Sequence, residues 1–393
     1  MVSGKHYDVL IVGARCAGAA TAMLAARQGL RVLAIDAGEA GSDTVSTHAL
    51  MRAGVMQLHR WGVLPRIVAA GTPAIRTTTF HYGDETLSIA IKPGHGIDAL
   101  YAPRRSLLDR TLAESAQGSG AELRHGWRLT DLIRNRSGQV AGGIVVDRQG
   151  RCAEVHAGLV IGADGAGSAV ARLAGAMPLH EGRHAGAVLY GHWAGLRQSG
   201  YHWHYRENLS AGVIPTNDGR HCVFVAMRPE RFRGEARQDP LAAYHRLLHE
   251  ISPPLAAELR GAELESRIWA FPGRRGFMRQ PWGRGWALVG DAGYFKDPLT
   301  AHGITDALRD AELVARAAVE GSEKAFADYA AIREALSLEL FEASDAIASF
   351  DWDIEALRGH HQALHRAMKT EVDHITTMAL SLPAEVIIRE KAA

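Results

Sequence analysis

Three widely separated segments each run from an unbroken apolar stretch into a glycine or aspartate turn. They are Tyr7-Asp8-Val9-Leu10-Ile11-Val12-Gly13-Ala14-Arg15-Cys16-Ala17-Gly18, Leu159-Val160-Ile161-Gly162-Ala163-Asp164-Gly165 and Trp286-Ala287-Leu288-Val289-Gly290-Asp291-Ala292. Apolar runs without alternation suit parallel strands covered on both faces. Their order along the chain predicts an α/β fold in which one domain is interleaved with another.

The first segment carries the most legible chemistry. Gly13 permits a tight turn, and the stretch from Ala17 to Ala26 is rich in small residues and helix formers. Small residues let a helix lie close to a sheet. The helix start presents free N–H groups and partial positive charge, which suit a pyrophosphate. Arg31-Val32-Leu33-Ala34-Ile35-Asp36 then reads as a second strand ending in an acid. An acid about 20 residues beyond the glycines is where a ribose 2′-hydroxyl would be held. One position departs from the usual G-x-G-x-x-G: Arg15 stands where the middle glycine would be. Its side chain must therefore point away or place its guanidinium on the phosphate. Taken alone, the motif fits any strand–turn–helix unit. Strand, helix and acid in this order favour a dinucleotide.

The other two segments extend the pattern. After Asp164-Gly165, residues 166–174 read as a helix, although Asp-Gly is also common in plain turns. After Gly290-Asp291 come Pro298, Gly303 and a long helix from near Ile304. A fourth element is Arg105-Ser106-Leu107-Leu108-Asp109, followed by Leu112 and Ala116. Together these resemble the FAD-dependent monooxygenases of the para-hydroxybenzoate hydroxylase type, over at least residues 5–320. Geranylgeranyl reductases and flavin halogenases share that superfamily.

The resemblance implies a Rossmann-like FAD-binding domain of three layers (ββα), interleaved with a β-sheet substrate domain and followed by C-terminal helices. It implies FAD contacts from Gly13, Arg15, Ala17, Gly18, Asp36, Arg105, Asp164, Gly165, Gly290, Asp291, Pro298 and Gly303. Arg105 would reach the pyrophosphate, and Asp164 would lie near the ribityl and pyrophosphate region. Asp291 would hold the ribityl chain, and the late helix start would favour negative charge at the flavin N1–C2 carbonyl. NAD(P)H would act as a transient co-substrate, so the lack of a second dinucleotide fingerprint decides nothing.

The activity implied is oxygen insertion from molecular oxygen, through a flavin C4a-hydroperoxide, into an aromatic or polyketide-like small molecule. A reductase of the geranylgeranyl type, without oxygen insertion, is the alternative. A flavin-holding protein with a dead site is a third, disfavoured by the intact Asp291–Gly303 segment. The halogenase motif W-x-W-x-I-P is not matched. Phe350-Asp351-Trp352-Asp353-Ile354 lacks its first tryptophan and its proline.

On this reading residues 1–73, 104–183 and 281–320 form the FAD-binding domain. Residues 74–103 and 184–280 form the substrate sheet, and 321–393 form a helical tail that covers the first domain or makes a dimer contact. The tail is broken around 321, 349–351 and 359. Strands are expected at 187–194, 201–206, 210–214 and 221–228, with a turn at Asn217-Asp218-Gly219 and a hairpin through Gly83-Asp84. Residues 239–259 read as one helix.

In Tyr201-His202-Trp203-His204-Tyr205, alternation puts the aromatics on one face and the histidines on the other. Tyr190 and His192 share another strand face. Tyr190, His192, Trp203, Tyr205 and His302 are the substrate-contact candidates, although such aromatics would equally fill a core. His48, in the loop after the second strand, is the catalytic candidate, as a base on a phenol or a group that positions the flavin. A loop histidine capping a helix is the plain alternative.

His361 and His365 fall four residues apart, but no carboxylate or cysteine completes a metal set, so none is expected. A net charge of +1 gives no reason to expect nucleic acid. Cys16, Cys152 and Cys222 are scattered and odd in number, which fits a reducing compartment. No stretch approaches the roughly 20 apolar residues of a membrane span. A cytoplasmic monomer or homodimer is the expectation.

Overall fold

The computed structural model describes residues 6–44, 46–265 and 267–380. Residues 1–5 and 381–393, the outer ends of the first and last expected regions, lie outside the described residues.

The three apolar segments do become neighbouring strands. His6–Val12 pairs in parallel with Val32–Asp36 on one side and with Cys152–Gly162 on the other. Trp286–Leu288 adds in parallel beyond Cys152–Gly162, and Glu122–His125 adds beyond Val32–Asp36. Val12 lies opposite both Ile35 and Gly162, and Gly162 lies opposite Leu288. All these strands therefore end at one edge of the sheet. The apolar side chains Val9, Leu10, Ile11, Val160 and Ile161 are buried, as strands covered on both faces require. The helix Cys16–Arg27 lies on one face, with Ala19, Ala20, Ala22 and Met23 fully buried.

A second, mostly antiparallel sheet is built from 77–90 and 187–271. Its order is Glu263–Leu264, Ala187–Ala194, Arg220–Met227, Leu209–Pro215, Tyr201–Arg206, Thr77–Tyr82 and Glu85–Ala90. The hairpin Thr77–Tyr82/Glu85–Ala90 joins this sheet through a parallel pairing with Tyr201–Arg206. The alternation in that strand holds: Tyr201, Trp203 and Tyr205 are buried on one side.

Three helical expectations need correction. Residues 239–259 form two helices, Pro240–Ile251 and Pro253–Leu259. Pro253 disfavours helical backbone at the residue before it. Ser252 instead caps the second helix by accepting from the Leu255 amide. The helix expected at 166–174 starts at Ala169, because Asp164 and Ser168 cap it there. The expected break at 359 is absent, and Gly359 lies inside Ile354–Leu380. A helical glycine costs only about 1 kcal/mol, which the burial of Leu357, Ala367 and Ile375 on the same helix offsets.

A buried charge network ties the three last helices together. Arg309, on Gly303–Glu320, donates to Asp306 at 3.0 Å, Glu371 at 2.9 Å, Asp310 at 2.9 Å and Ser337 at 2.9 Å. Arg333 reaches Asp310 from Glu323–Ala348 at 3.3 Å. Burial alone would raise the Glu371 pKa, but His302, Arg309 and Lys296 hold it well below the usual carboxylate range. Removing one partner from such a network leaves buried charge uncompensated, at a cost of about 3–5 kcal/mol. Arg309→Met should therefore lower the unfolding free energy by about that amount in urea titrations. The depressed Glu371 pKa contributes stability that is present above the ordinary carboxylate pKa and lost as pH falls through the folded value. Glu371→Gln should accordingly flatten the acid limb of a stability–pH profile.

Candidate active site

A cavity of about 730 Å³ runs along the carboxyl ends of the parallel strands and beneath the second sheet. Its floor begins at Gly13, whose φ is +100° and whose added Cβ would stand 2.3 Å from the Ala163 carbonyl oxygen. Gly18 is equally obligatory, since a Cβ there would meet the Gly13 carbonyl oxygen at 1.8 Å. These two glycines bring the start of Cys16–Arg27 down onto the strand ends, so the helix's free amides face the cavity mouth.

Polar side chains shape this end. Asp36 accepts from the Ala14 amide at 2.8 Å and the Gly38 amide at 2.7 Å, which locks both turns at the cavity rim. Asp109 accepts from the Cys16 amide at 3.0 Å and from Arg105 at 3.1 Å. Arg105 is thereby fixed beside the helix start. Burial opposes its charge, but Cys16, Asp109 and Asp291 raise its pKa above the ordinary arginine value. Arg15 lines the cavity and turns toward Ser42 at 3.4 Å. Its Nη1 is buried without a hydrogen-bond partner among the described residues. Asp164 also lines the cavity, and it caps the following helix through the Ala169 amide at 2.6 Å.

Asp291 is enclosed by protein but open to the cavity. Burial raises its pKa, against the pull of Lys296 and Arg105. Pro298, Ala301 and Gly303 continue the wall, and Gly303 begins an 18-residue helix whose dipole favours negative charge there. The donor set of glycine cradle, helix amides and guanidinium at one end, with a carboxylate and a helix start at the other, fits a dinucleotide lying along the strand ends.

The opposite wall comes from the second sheet: Val188, Tyr190, Phe224 and Phe271. Tyr190 and Phe224 are direct cross-strand partners, so their rings share a face. Phe224 and Phe271 were not singled out in the sequence. The alternation of Arg220–Met227 with Ala187–Ala194 would have found Phe224 only if the register were known. The loop containing Thr44, Ser46, Thr47, His48 and Ala49 closes a third side. His48 Nε2 lies 2.8 Å from His192 Nε2. Burial, then His192, Arg104 and Arg105, push the His48 pKa well below its usual value. Burial, then Arg104, bring His192 down to about 4. Both rings are neutral at pH 7.

Other candidate residues fall elsewhere. Trp203 and Tyr205 face the right way but sit three strands from Ala187–Ala194, on the order of 14 Å across the sheet. Trp203 packs behind Phe224 at 6.0 Å between ring centroids, and Tyr205 is covered by His361 at 4.8 Å. His302 turns away from the cavity and bonds Glu371 at 2.7 Å, within the helix network. Gly18 and Gly290 support the cavity wall from behind. His361 bonds the Tyr82 hydroxyl at 2.7 Å. His302, Asp306 and Glu371 hold ligand-type atoms within 4.8 Å of one another. Lys296 and Arg309 already neutralise those carboxylates, so the arrangement is an ion-pair network.

The fold and cavity define a flavoprotein of the kind that threads one dinucleotide through an interleaved α/β domain. Residues 6–342 match the FAD binding domain family, and the chain belongs to it. It is a flavoprotein oxidoreductase. It is 27% identical over 351 residues to digeranylgeranylglycerophospholipid reductase of Methanocella arvoryzae, covering 86% of this chain and 85% of that protein. It is 27% identical over 340 residues to menaquinone reductase of Mycolicibacterium smegmatis, covering 80% and 76%.

Among solved structures, the flavin-dependent brominase Bmp2 superposes with a TM-score of 0.80 at 20% identity, over 94% of this chain and 93% of that one. PqsL of Pseudomonas aeruginosa, in complex with 2-aminobenzoylacetate, superposes with a TM-score of 0.78 at 22% identity, over 91% and 100%. These two establish the shared fold. Among the described residues no helix is long and apolar enough to cross a membrane.

Asp291 gives a prediction with two opposite signs. A raised folded pKa means stability that is present at low pH and lost as pH rises through that value. Asp291→Asn should therefore stabilise the FAD-free protein at neutral pH in thermal melts, and less so in acid. On the expectation that Asp291 holds the ribityl chain, the same variant should weaken FAD binding by about tenfold in fluorescence titrations, through loss of a charge-assisted hydrogen bond.

Proposed function

We propose that the protein is an FAD-dependent monooxygenase that uses NAD(P)H and inserts oxygen into a planar, apolar small molecule. The observation that carries this reading is the wall of Tyr190, Phe224 and Phe271 facing the Asp291–Gly303 side across one continuous cavity. Flat rings packed on such a wall exclude water and fix orientation together. The Cys16 helix start and Arg105 would hold the pyrophosphate, Asp36 the adenosine ribose and Asp291 the ribityl chain. Bound flavin would supply the redox chemistry, taking electrons from the nicotinamide and passing them on. The protein's own residues would position the substrate, keep water out and, through His48, handle protons.

A second reading is reduction of a carbon–carbon double bond without oxygen insertion. It is favoured by the names of the curated relatives, which are reductases matched across most of both chains. Val188, Leu299, Ile304 and Ala307 would offer an isoprenoid chain an apolar lining.

Oxygen stoichiometry separates the two. FAD-loaded protein mixed anaerobically with NADH or NADPH should lose its flavin absorbance band. Readmitting oxygen with planar aromatic substrates should consume one molecule of oxygen per molecule of hydroxylated product. Product formed without oxygen uptake would establish the reductase reading instead. Failure of both nicotinamides to bleach the flavin, with or without substrate, would remove both.

A further inference from the structure

We propose that Gly212 is a specificity-determining position that acts through Phe224, widening the cavity at the second-sheet wall so that it admits a planar, fused-ring molecule. The proposal rests on the reading that a planar molecule binds against Tyr190, Phe224 and Phe271. It adds the size of that molecule and the residue that sets it.

A row of direct register partners crosses the second sheet. Tyr190 lies opposite Phe224, Phe224 opposite Gly212, Gly212 opposite Trp203, and Trp203 opposite Phe80. Partners at one register level point to the same face. Every member of this row is aromatic except Gly212. A glycine inside a strand gives up side-chain packing and weakens the strand. Its usual warrant is a backbone conformation closed to other residues, as at Gly219, where φ is +64°. Gly212 has no such conformation. It lies in the regular strand Leu209–Pro215, paired on both sides and outside the left-handed region.

Space is what this glycine provides. A Cβ at Gly212 would stand 2.4 Å from Phe224 Cε1, 2.8 Å from Phe224 Cζ and 3.0 Å from Trp203 Cε3. The far edge of the Phe224 ring therefore lies over the Gly212 backbone. Leu209–Pro215 and Ala187–Ala194 flank Arg220–Met227 on opposite sides, so the ring leans away from Tyr190. Trp203 closes the other side of the glycine, 6.0 Å from Phe224 between ring centroids. It is buried and braced edge-on by Tyr201 at 5.8 Å. Phe224 borders the cavity, and Gly212 is not among the residues that line it. A side chain at 212 would drive the Phe224 ring toward the open space of the cavity. The influence of Gly212 on a ligand thus passes through that ring.

The wall this creates is wide. Trp269–Phe271 pairs with Ala187–Ala194 on the side opposite Arg220–Met227. Phe271, Tyr190 and Phe224 thus come from three adjacent strands. Two strand spacings of about 4.8 Å make a span of about 10 Å. One benzene ring leaves part of such a wall uncovered, whereas two or three fused rings match it. By reclining over Gly212, Phe224 extends the wall toward a fourth strand instead of narrowing the space in front of Tyr190.

The test uses FAD-loaded protein and two fluorescent planar probes, 2-naphthol and the larger 1-hydroxypyrene. Titrations followed by probe fluorescence give both affinities, read as changes from the wild type. Gly212→Ala should weaken 2-naphthol by about tenfold or more, as a methyl-sized intrusion into an apolar pocket does. Phe224→Ala should tighten 1-hydroxypyrene by about tenfold. The double variant separates a residue that acts through the ring from a merely structural glycine. With the ring gone, the added methyl has nothing to push. Gly212→Ala in the Phe224→Ala background should therefore leave both affinities within about twofold of Phe224→Ala alone. A further tenfold loss there would overturn the proposal, as would an unchanged 2-naphthol affinity in Gly212→Ala.

Should Gly212→Ala alone fail to fold or retain FAD, the double variant carries the test. Recovery of soluble, FAD-loaded protein supports the proposal, and no recovery where Phe224→Ala alone folds sinks it. If the wild type binds neither probe, the planar-ligand reading fails and takes the fused-ring class with it. A crystal structure of Gly212→Ala then decides the remaining claim. A Phe224 ring shifted into the cavity supports it, and an unmoved ring ends it. None of these readouts uses oxygen or nicotinamide, so their failure is separable from failure of the monooxygenase reading.

Discussion

Parallel pairing of three distant chain segments is the constraint on which the rest depends. His6–Val12, Cys152–Gly162 and Trp286–Leu288 lie side by side in one direction. Their turns, Gly13-Ala14, Ala163-Asp164 and Gly290-Asp291, must then emerge at one edge. Crevices at the carboxyl ends of parallel strands are where such sheets bind ligands. The cavity follows directly, and with it the convergence of Asp36, Arg105, Asp164 and Asp291 from four parts of the chain.

Charge is divided between two places with opposite logic. Behind the cavity, Arg309, Asp306, Asp310 and Glu371 neutralise one another and join the last three helices. Each carboxylate there has a partner, and the network serves the fold. Inside the cavity, Asp291 faces open space and His48 keeps a nitrogen unsatisfied. Buried polar groups left without partners cost stability. Their placement together on one cavity surface is what a binding site requires, and it differs from the self-contained network only a few residues away. Lys296 touches both regions: it lines the cavity and pairs with Asp306.

The strand-end half of the cavity was legible because its determinants are local. A strand, a turn glycine and a helix start lie within a dozen residues, and Gly13 is required by backbone geometry alone. Arg105 and Asp109 are four residues apart on one helix, so their pairing is local as well. The second-sheet half was less legible because its determinants are registers and strand orders. The alternation in Tyr201–Arg206 gave the correct face for Trp203 and Tyr205. It gave no information on lateral position, and three intervening strand spacings remove both from the cavity. His302 failed for a similar reason. Its backbone sits at the helix start, but its side chain answers to Glu371, 69 residues away.

By itself, then, the sequence determined the fold class and most of the residues along the strand-end edge of the cavity, since apolar runs and turn glycines act over short distances. Tertiary structure alone decided the opposing wall, by pairing Tyr190 with Phe224 and bringing Phe271 beside them. It also turned His48 from a loop histidine into one end of a buried pair with His192, 144 residues on. No local pattern encodes that contact. It exists because the second sheet packs over the edge where the first sheet's strands end.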